Sequence, residues 1–482
     1  MIKEKPEPKR VYDFFEEIAA IPHGSYHIDE ISDYLYQFAR KRNLWCRQDE
    51  WKNVLIKKPA TPGYENAPVL MIQGHMDMVA VKKDDCPLDL ERDGLDLILE
   101  NGFLSAKGTS LGGDDGIAVA YALAILDSDS IPHPALEVLF TVNEEVGMEG
   151  ALGVELADSE ATCLLNIDSE EEGILIAGCA GGVRVAGSFP FTRVKKEGTK
   201  LSLSITGLKG GHSGTEIHKG RCNANCVMGR ILTMLSETVP YAIVSLKGGE
   251  KDNAIPRFAH GEIIVDKQNL STATEKLMNI KILLKQEFGG REDGFSFEVK
   301  EGDNGSYDVV TEEDSCRMAE FLSVVPDGVV AMSARVPGMV ETSLNLGILE
   351  LKEEKMETVF ALRSSIKSAK EALKKRMEAL VRIYGGTSSC GGDYPAWEYR
   401  AESPLREKMV RIYQKQYGKE PEITVIHAGL ECGILLEKKP SLDCVSFGPD
   451  ILDIHTTEEK MDVASVLRTW EYLLAVLEEK VW

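Results

Sequence analysis

Short apolar runs and helical spacings alternate along the first third of the chain. Val11-Tyr-Asp-Phe-Phe-Glu-Glu-Ile and residues 28–42 place apolar side chains at the three-to-four-residue period of a helix with one buried face. Val69-Leu-Met-Ile, Glu137-Val-Leu-Phe-Thr-Val and Cys163-Leu-Leu-Asn-Ile are largely apolar runs of strand length, the pattern of strands covered on both faces. Ile117 to Asp127 is apolar nearly all round and predicts a core helix. This alternation predicts an α/β fold: a mainly parallel sheet with helices on both faces.

Near Gly178-Cys-Ala-Gly-Gly the pattern changes to alternating strands, such as Leu201-Ser-Leu-Ser-Ile-Thr, Tyr241-Ala-Ile-Val-Ser-Leu and Phe295-Ser-Phe-Glu-Val, with helices near 221–238 and 272–288. A similar stretch follows, with a helix near 312–324, strands near 343–350 and 356–363, and a helix over 364–384. After Gly385-Gly386 the first pattern resumes, with a helix near 404–417, the runs Ile423-Thr-Val-Ile-His and Cys444-Val-Ser-Phe-Gly, and a closing helix over 463–480. We therefore expect residues 1–183 and 387–482 to form one catalytic domain, interrupted by an α+β lid at 184–386 that divides into two subunits or forms one.

At 482 residues the chain is long enough for two or three domains of roughly 150 residues each. Its net charge of −23 argues against nucleic acid and anionic membrane surfaces as partners, because both attract positive charge. No apolar segment follows the N-terminal Met-Ile-Lys-Glu-Lys, and the ten cysteines include no Cys-x-x-Cys pair. A cytoplasmic chain with reduced thiols is the expectation.

The chemistry-bearing residues stand directly after the apolar runs. His75-Met-Asp77 follows the first, Asn143-Glu144-Glu145 the second, Asp168 the third, and a loop reaching His455 follows Cys444 to Gly448. In open α/β sheets the carboxyl ends of strands line the ligand crevice. A glycine-rich loop, Ser110-Leu-Gly-Gly-Asp114-Asp115-Gly, opens the apolar helix. A single His-x-Asp is more often a turn, and a Glu-Glu pair more often a solvated face. Adjacent carboxylates beside buried strands are costly without compensating cations or protons, and this context recurs. The oxygen and nitrogen donors suit zinc, with manganese or cobalt as alternatives.

At these residues the chain resembles the M20 metallopeptidases, most nearly the aminoacyl-histidine dipeptidase (cytosol non-specific dipeptidase) type. The matching stretches are Gln73-Gly-His-Met-Asp-Met-Val, Lys107-Gly-Thr-Ser-Leu-Gly-Gly-Asp-Asp-Gly-Ile, Thr141-Val-Asn-Glu-Glu-Val-Gly-Met and Leu165-Asn-Ile-Asp-Ser-Glu-Glu. Further on come Lys209-Gly-Gly-His-Ser-Gly, Asp252-Asn-Ala-Ile-Pro-Arg, Val340-Glu-Thr-Ser-Leu-Asn-Leu-Gly and Ile426-His-Ala-Gly-Leu-Glu-Cys-Gly.

The resemblance implies a hydrolase that cleaves dipeptides, Xaa-His among them, with two divalent metal ions. It implies Asp114 as the bridging ligand, His75 and Asp168 on one ion, Glu145 and His455 on the other, Glu144 as general base, and Asp77 holding the His75 ring. Among lid residues it implies that His212 polarises the scissile carbonyl and that Asn253 and Arg363 bind substrate. His427 and Glu431 are expected to line the pocket from the catalytic domain. The Asp114–Asp115 peptide is expected to be cis. Two positions depart from the family pattern: Asp115 stands where relatives carry Asn, and Thr-Thr-Glu-Glu follows His455 where relatives tend to Ser-Pro. His23, His27, His133, His218 and His260 are expected to be structural. The resemblance leaves a homodimer open. Two rival functions are an amidohydrolase of the same family that deacylates N-acyl amino acids and a non-catalytic peptide-binding descendant.

Overall fold

The computed structural model describes Ile2 and residues 4–480. The chain divides into two compact units, one of residues 1–178, 399–425 and 430–482, the other of residues 179–398 and 426–429.

The first unit is built on an eight-stranded sheet. Its middle runs Leu136–Thr141, Leu70–His75, Cys163–Asn166 and Asp443–Ser446, all parallel, with Gln73 opposite Leu139 on one side and Asn166 on the other. Val54–Lys58 and Trp45–Gln48 extend one edge antiparallel. Every residue of Leu70–His75 and Leu136–Thr141 is buried, which accounts for their largely apolar character. The helix Gly113–Asp127 is buried from Gly113 to Leu126, in agreement with its apolar circumference. It packs with helices Lys9–Ala19 and Val463–Glu478 into one apolar core. A small four-stranded sheet sets Lys460–Asp462 against Phe103–Ala106, with Met461 opposite Leu104.

The second unit has its own core under a nine-stranded antiparallel sheet, covered by helices Ala224–Ser236, Leu270–Phe288, Glu312–Val324 and Lys367–Ile383. The two α+β stretches read from the sequence are knitted into this one sheet. Ala242–Gly248 pairs with Val340–Leu351, and Gly181–Pro190 pairs with Lys355–Ser364. The unit also runs past residue 386, because Thr387–Tyr394 is an edge strand hydrogen-bonded to Gly181–Pro190. That strand is polar and almost wholly exposed, so no apolar alternation announces it. Among the described residues no helix is long and apolar enough to cross a membrane.

Candidate metal centre

Strand ends deliver two of the candidate ligands of the first unit. His75 is the last residue of Leu70–His75, and Asp168 follows two residues after Cys163–Asn166. Asp114 lies at the start of the apolar helix, where backbone angles of φ −85° and ψ 105° take it out of helical geometry, and the Asp114–Asp115 peptide is cis. Gly74 makes the close approach feasible: a Cβ there would stand 2.4 Å from Asp115 Oδ2 and 2.6 Å from Ala118 Cβ.

His75, Asp114 and Asp168 gather their donor atoms within 4.8 Å of one another, and Asp114, Glu145 and His455 do the same. His75 Nε2 is 3.2 Å from Asp114 Oδ1 and 3.8 Å from Asp168 Oδ1. His455 Nε2 is 3.2 Å from the other Asp114 oxygen and 3.0 Å from Glu145 Oε1. Two donors at zinc bond lengths of about 2.0–2.1 Å in a tetrahedron stand roughly 3.4 Å apart, so these separations suit a small divalent cation. Asp114 offers one oxygen to each group. The residues present therefore fit two cations sharing one carboxylate.

The electrostatics agree with the donor count. Burial first, then its acidic neighbours, pushes Asp168 well above the usual carboxylate range, and Glu144 is raised the same way. Glu170 is raised to about 7, by burial and then by the charge of Asp114. Asp114 is lowered: burial opposes ionisation, but hydrogen bonds from His455 and His75 outweigh it. His455 is raised to about 10 by its contacts with Asp114 and Glu145. Carboxylates this close repel one another, and positive charge placed between them relieves that repulsion.

Asp77 differs in detail from the expectation. The His75 ring donates from Nδ1 to the main-chain oxygen of Asp77 at 2.9 Å, while Asp77 Oδ1 lies 3.5 Å away, close enough for charge attraction but long for a hydrogen bond. The Asp77 carboxylate instead accepts from Ser25 Oγ at 2.8 Å and from the Glu144 main-chain N–H at 3.0 Å. It therefore anchors the turn that carries Glu144.

Asp115 is buried, and its Oδ2 accepts from the His75 main-chain N–H at 3.2 Å. Burial, then the charge of Asp168, shifts it toward the neutral form, which has the shape and charge of an asparagine side chain. Glu431 is fully buried beneath the ligand strands, accepting from Gln73 Nε2 at 2.6 Å and Thr141 Oγ1 at 2.5 Å, and burial raises it to about 7. Asn166 Nδ2 completes the network on Gln73 Oε1 at 2.7 Å.

A second cluster lies within the other unit. A Cβ placed on Gly214 would be 2.6 Å from the His427 main-chain oxygen, 3.0 Å from His212 Cε1 and 3.2 Å from Arg363 Nε, so these three residues converge on one point. The Thr215 N–H donates to His212 Nδ1 at 3.1 Å, which leaves the ring proton on Nε2, free to be donated onward. His427 is lowered to about 3, by burial and then by the Arg363 charge, and its Nε2 meets Ser343 Oγ at 2.7 Å. Arg363 Nη1 donates to Tyr394 Oη at 2.9 Å. Asn253 is exposed, and its carbonyl holds the Ser213 N–H at 2.8 Å beside His212.

His427 thus belongs to the second unit and not, as expected, to the first: the Ala180 N–H bonds to the carbonyls of Ile426 and Ala428 and ties this segment to the second unit. Ser25, Ser343 and Tyr394 went unnoticed in the sequence, since isolated hydroxyl residues carry no spacing signal. Three of the outlying histidines make local contacts: His23 and His133 are buried against the carbonyls of Ile21 and Pro134, and His260 meets Ser204.

The chain is 35% identical over 474 residues to the cytosol non-specific dipeptidase of Escherichia coli K12, covering 98% of each protein. Among solved structures, the aminoacylhistidine dipeptidase of Vibrio alginolyticus superposes with a TM-score of 0.91 at 38% identity, over 98% of this chain and 96% of that one. Aminopeptidase PepT of Bacillus cereus shares the fold with a TM-score of 0.56 at 15% identity, over 98% and 99% of the two chains. Residues 71–479 match the model of peptidase family M20/M25/M40, and the chain belongs to that family.

Proposed function

We propose that this chain is a dinuclear metallopeptidase that hydrolyses dipeptides. The observation that carries the reading is the pair of three-residue donor groups meeting at Asp114, with the Glu144 carboxylate beside them. His75, Asp114 and Asp168 would hold one ion; Asp114, Glu145 and His455 would hold the other. The imidazole and carboxylate set favours zinc, and manganese or cobalt share its preferences. Bound divalent ions supply Lewis acidity toward a carbonyl and lower the pKa of water.

In this reading Glu144 accepts the proton of the attacking water and passes it to the leaving amine, its turn held by Asp77. His212 donates from Nε2 to the scissile carbonyl oxygen. Arg363 binds the substrate carboxylate, with His427 and Asn253 as further binding residues. The full-length similarity to two dipeptidases supports the small-peptide substrate, and the cytosol named for the Escherichia coli relative is the compartment proposed.

The test is a dipeptide panel, Xaa-His included, assayed beside N-acetyl amino acids with metal content measured on the same sample. Dipeptide hydrolysis that tracks two bound ions is the expected result. Release of acetate instead would identify a deacylase, and absence of both activities in a metal-loaded sample would identify a peptide-binding protein.

A further inference from the structure

Glu459 is a buried carboxylate that the proposed reaction does not use, with 2% of its surface exposed. Its Oε2 accepts from the main-chain N–H groups of Leu111 at 2.8 Å and Gly112 at 3.0 Å. Its Oε1 accepts from Gly113 at 2.8 Å and, more weakly, Asp114 at 3.4 Å. These are consecutive N–H groups at the start of the helix Gly113–Asp127, which has no capping side chain of its own at Gly112. The carboxylate fits because the loop folds around it, with Gly112 at φ +68°.

Chain path makes this contact more than a cap. Glu459 directly precedes the strand Lys460–Asp462, which pairs with Ile451–Leu452 to close a hairpin carrying His455 in its loop. The same strand pairs with Phe103–Ala106, which leads into the Leu111–Asp114 loop. One carboxylate therefore joins the loop that bears Asp114 to the hairpin that bears His455, and His455 is 45% exposed, with little packing of its own to locate it. His75 and Asp168 are placed by separate buried strands.

We propose that Glu459 is a positioning residue that sets the distance between Asp114 and His455 and thereby selectively maintains the cation site formed with Glu145. This rests on the metal reading given above.

The experiment uses the full chain, stripped of metal by chelation and titrated with Co2+ by calorimetry and visible absorption. Wild type is expected to take up two equivalents. Glu459→Gln keeps the volume but turns one acceptor oxygen into an NH2 group facing backbone donors. One of its two equivalents should bind at least about tenfold more weakly, the other staying within about threefold of wild type. Glu459→Asp, which restores the charge, should recover part of the loss and serves if the glutamine variant does not fold.

Glu172→Gln removes the carboxylate that pairs with Arg468 at 2.6 Å in the same unit and controls for general destabilisation: it should lower thermal stability and leave both equivalents unchanged. Two equivalents bound by Glu459→Gln as in wild type, or both weakened equally, would overturn the positioning role. A wild-type chain that takes up fewer than two would overturn the metal assignment itself, and this inference with it.

Discussion

Removing the Arg363 guanidinium should abolish discrimination between a dipeptide acid and its C-terminal amide. Arg363 is the residue in its cluster best suited to a carboxylate. Its Nη1 is spent on the neutral hydroxyl of Tyr394, its Nε is buried without a partner, and among the described residues no carboxylate pairs with it. His427 beside it, lowered to about 3, stays neutral at working pH and does not compete for the anion. A planar guanidinium keeps its charge at any such pH and can bind both carboxylate oxygens.

Truncating one partner of a buried, hydrogen-bonded charge pair costs about 2–4 kcal/mol. At about 1.4 kcal/mol per factor of ten, amidating a good substrate should lower kcat/KM about 30- to 1,000-fold in wild type. In Arg363→Ala the acid should fall by a similar factor while the amide changes little, so the acid-to-amide ratio approaches one. Arg363→Lys, which keeps a charge without the fork, should lie between. The assay is kcat/KM for the four combinations of enzyme and substrate. If Arg363→Ala still preferred the acid as strongly as wild type, the carboxylate would have to be read elsewhere, and the unpaired Nε would need another explanation.

Glu144→Gln should lower turnover by about 10²–10⁴ while both metal ions stay bound, whereas Glu145→Gln should lose metal, as measured by elemental analysis of the purified variants. The reverse pattern would exchange the two roles. Gly74→Ala drives a methyl group into Asp115 Oδ2 and Ala118 Cβ, at 2.4 and 2.6 Å, and should destabilise the metal-free chain by about 1–3 kcal/mol in urea unfolding. Lys408 is buried and lowered by burial from 10.5 to about 8, so between those values the unfolded chain holds a proton that the folded chain lacks, and stability rises with pH across that window. At pH 7 the charged form costs on the order of 3 kcal/mol. Lys408→Met removes the titrating group along with its hydrogen bond to Glu479 O and should flatten the pH dependence of urea unfolding across that window.

Much of the centre was legible in the sequence because a buried parallel strand writes its own end. The runs before His75, Glu144 and Asp168 are largely apolar stretches of strand length, and the polar residues that end each one sit at the rim of the sheet. The helix after Asp114 was equally plain, since a helix apolar all round has to be interior.

Other features were settled only by the tertiary fold. Strand order sets Cys163–Asn166 between Leu70–His75 and Asp443–Ser446, a neighbourhood no local pattern encodes. His427 joined the second unit through two hydrogen bonds from Ala180, and the polar edge strand Thr387–Tyr394 exists because its neighbour offered it backbone partners. Glu459 lies in the Thr-Thr-Glu-Glu stretch with no spacing to mark it, yet it binds a loop about 345 residues away in sequence. Periodicity reports which face of an element is buried, because burial is a property of each side chain. It is silent on which distant backbone groups that side chain will satisfy, because those partners are chosen when the elements pack.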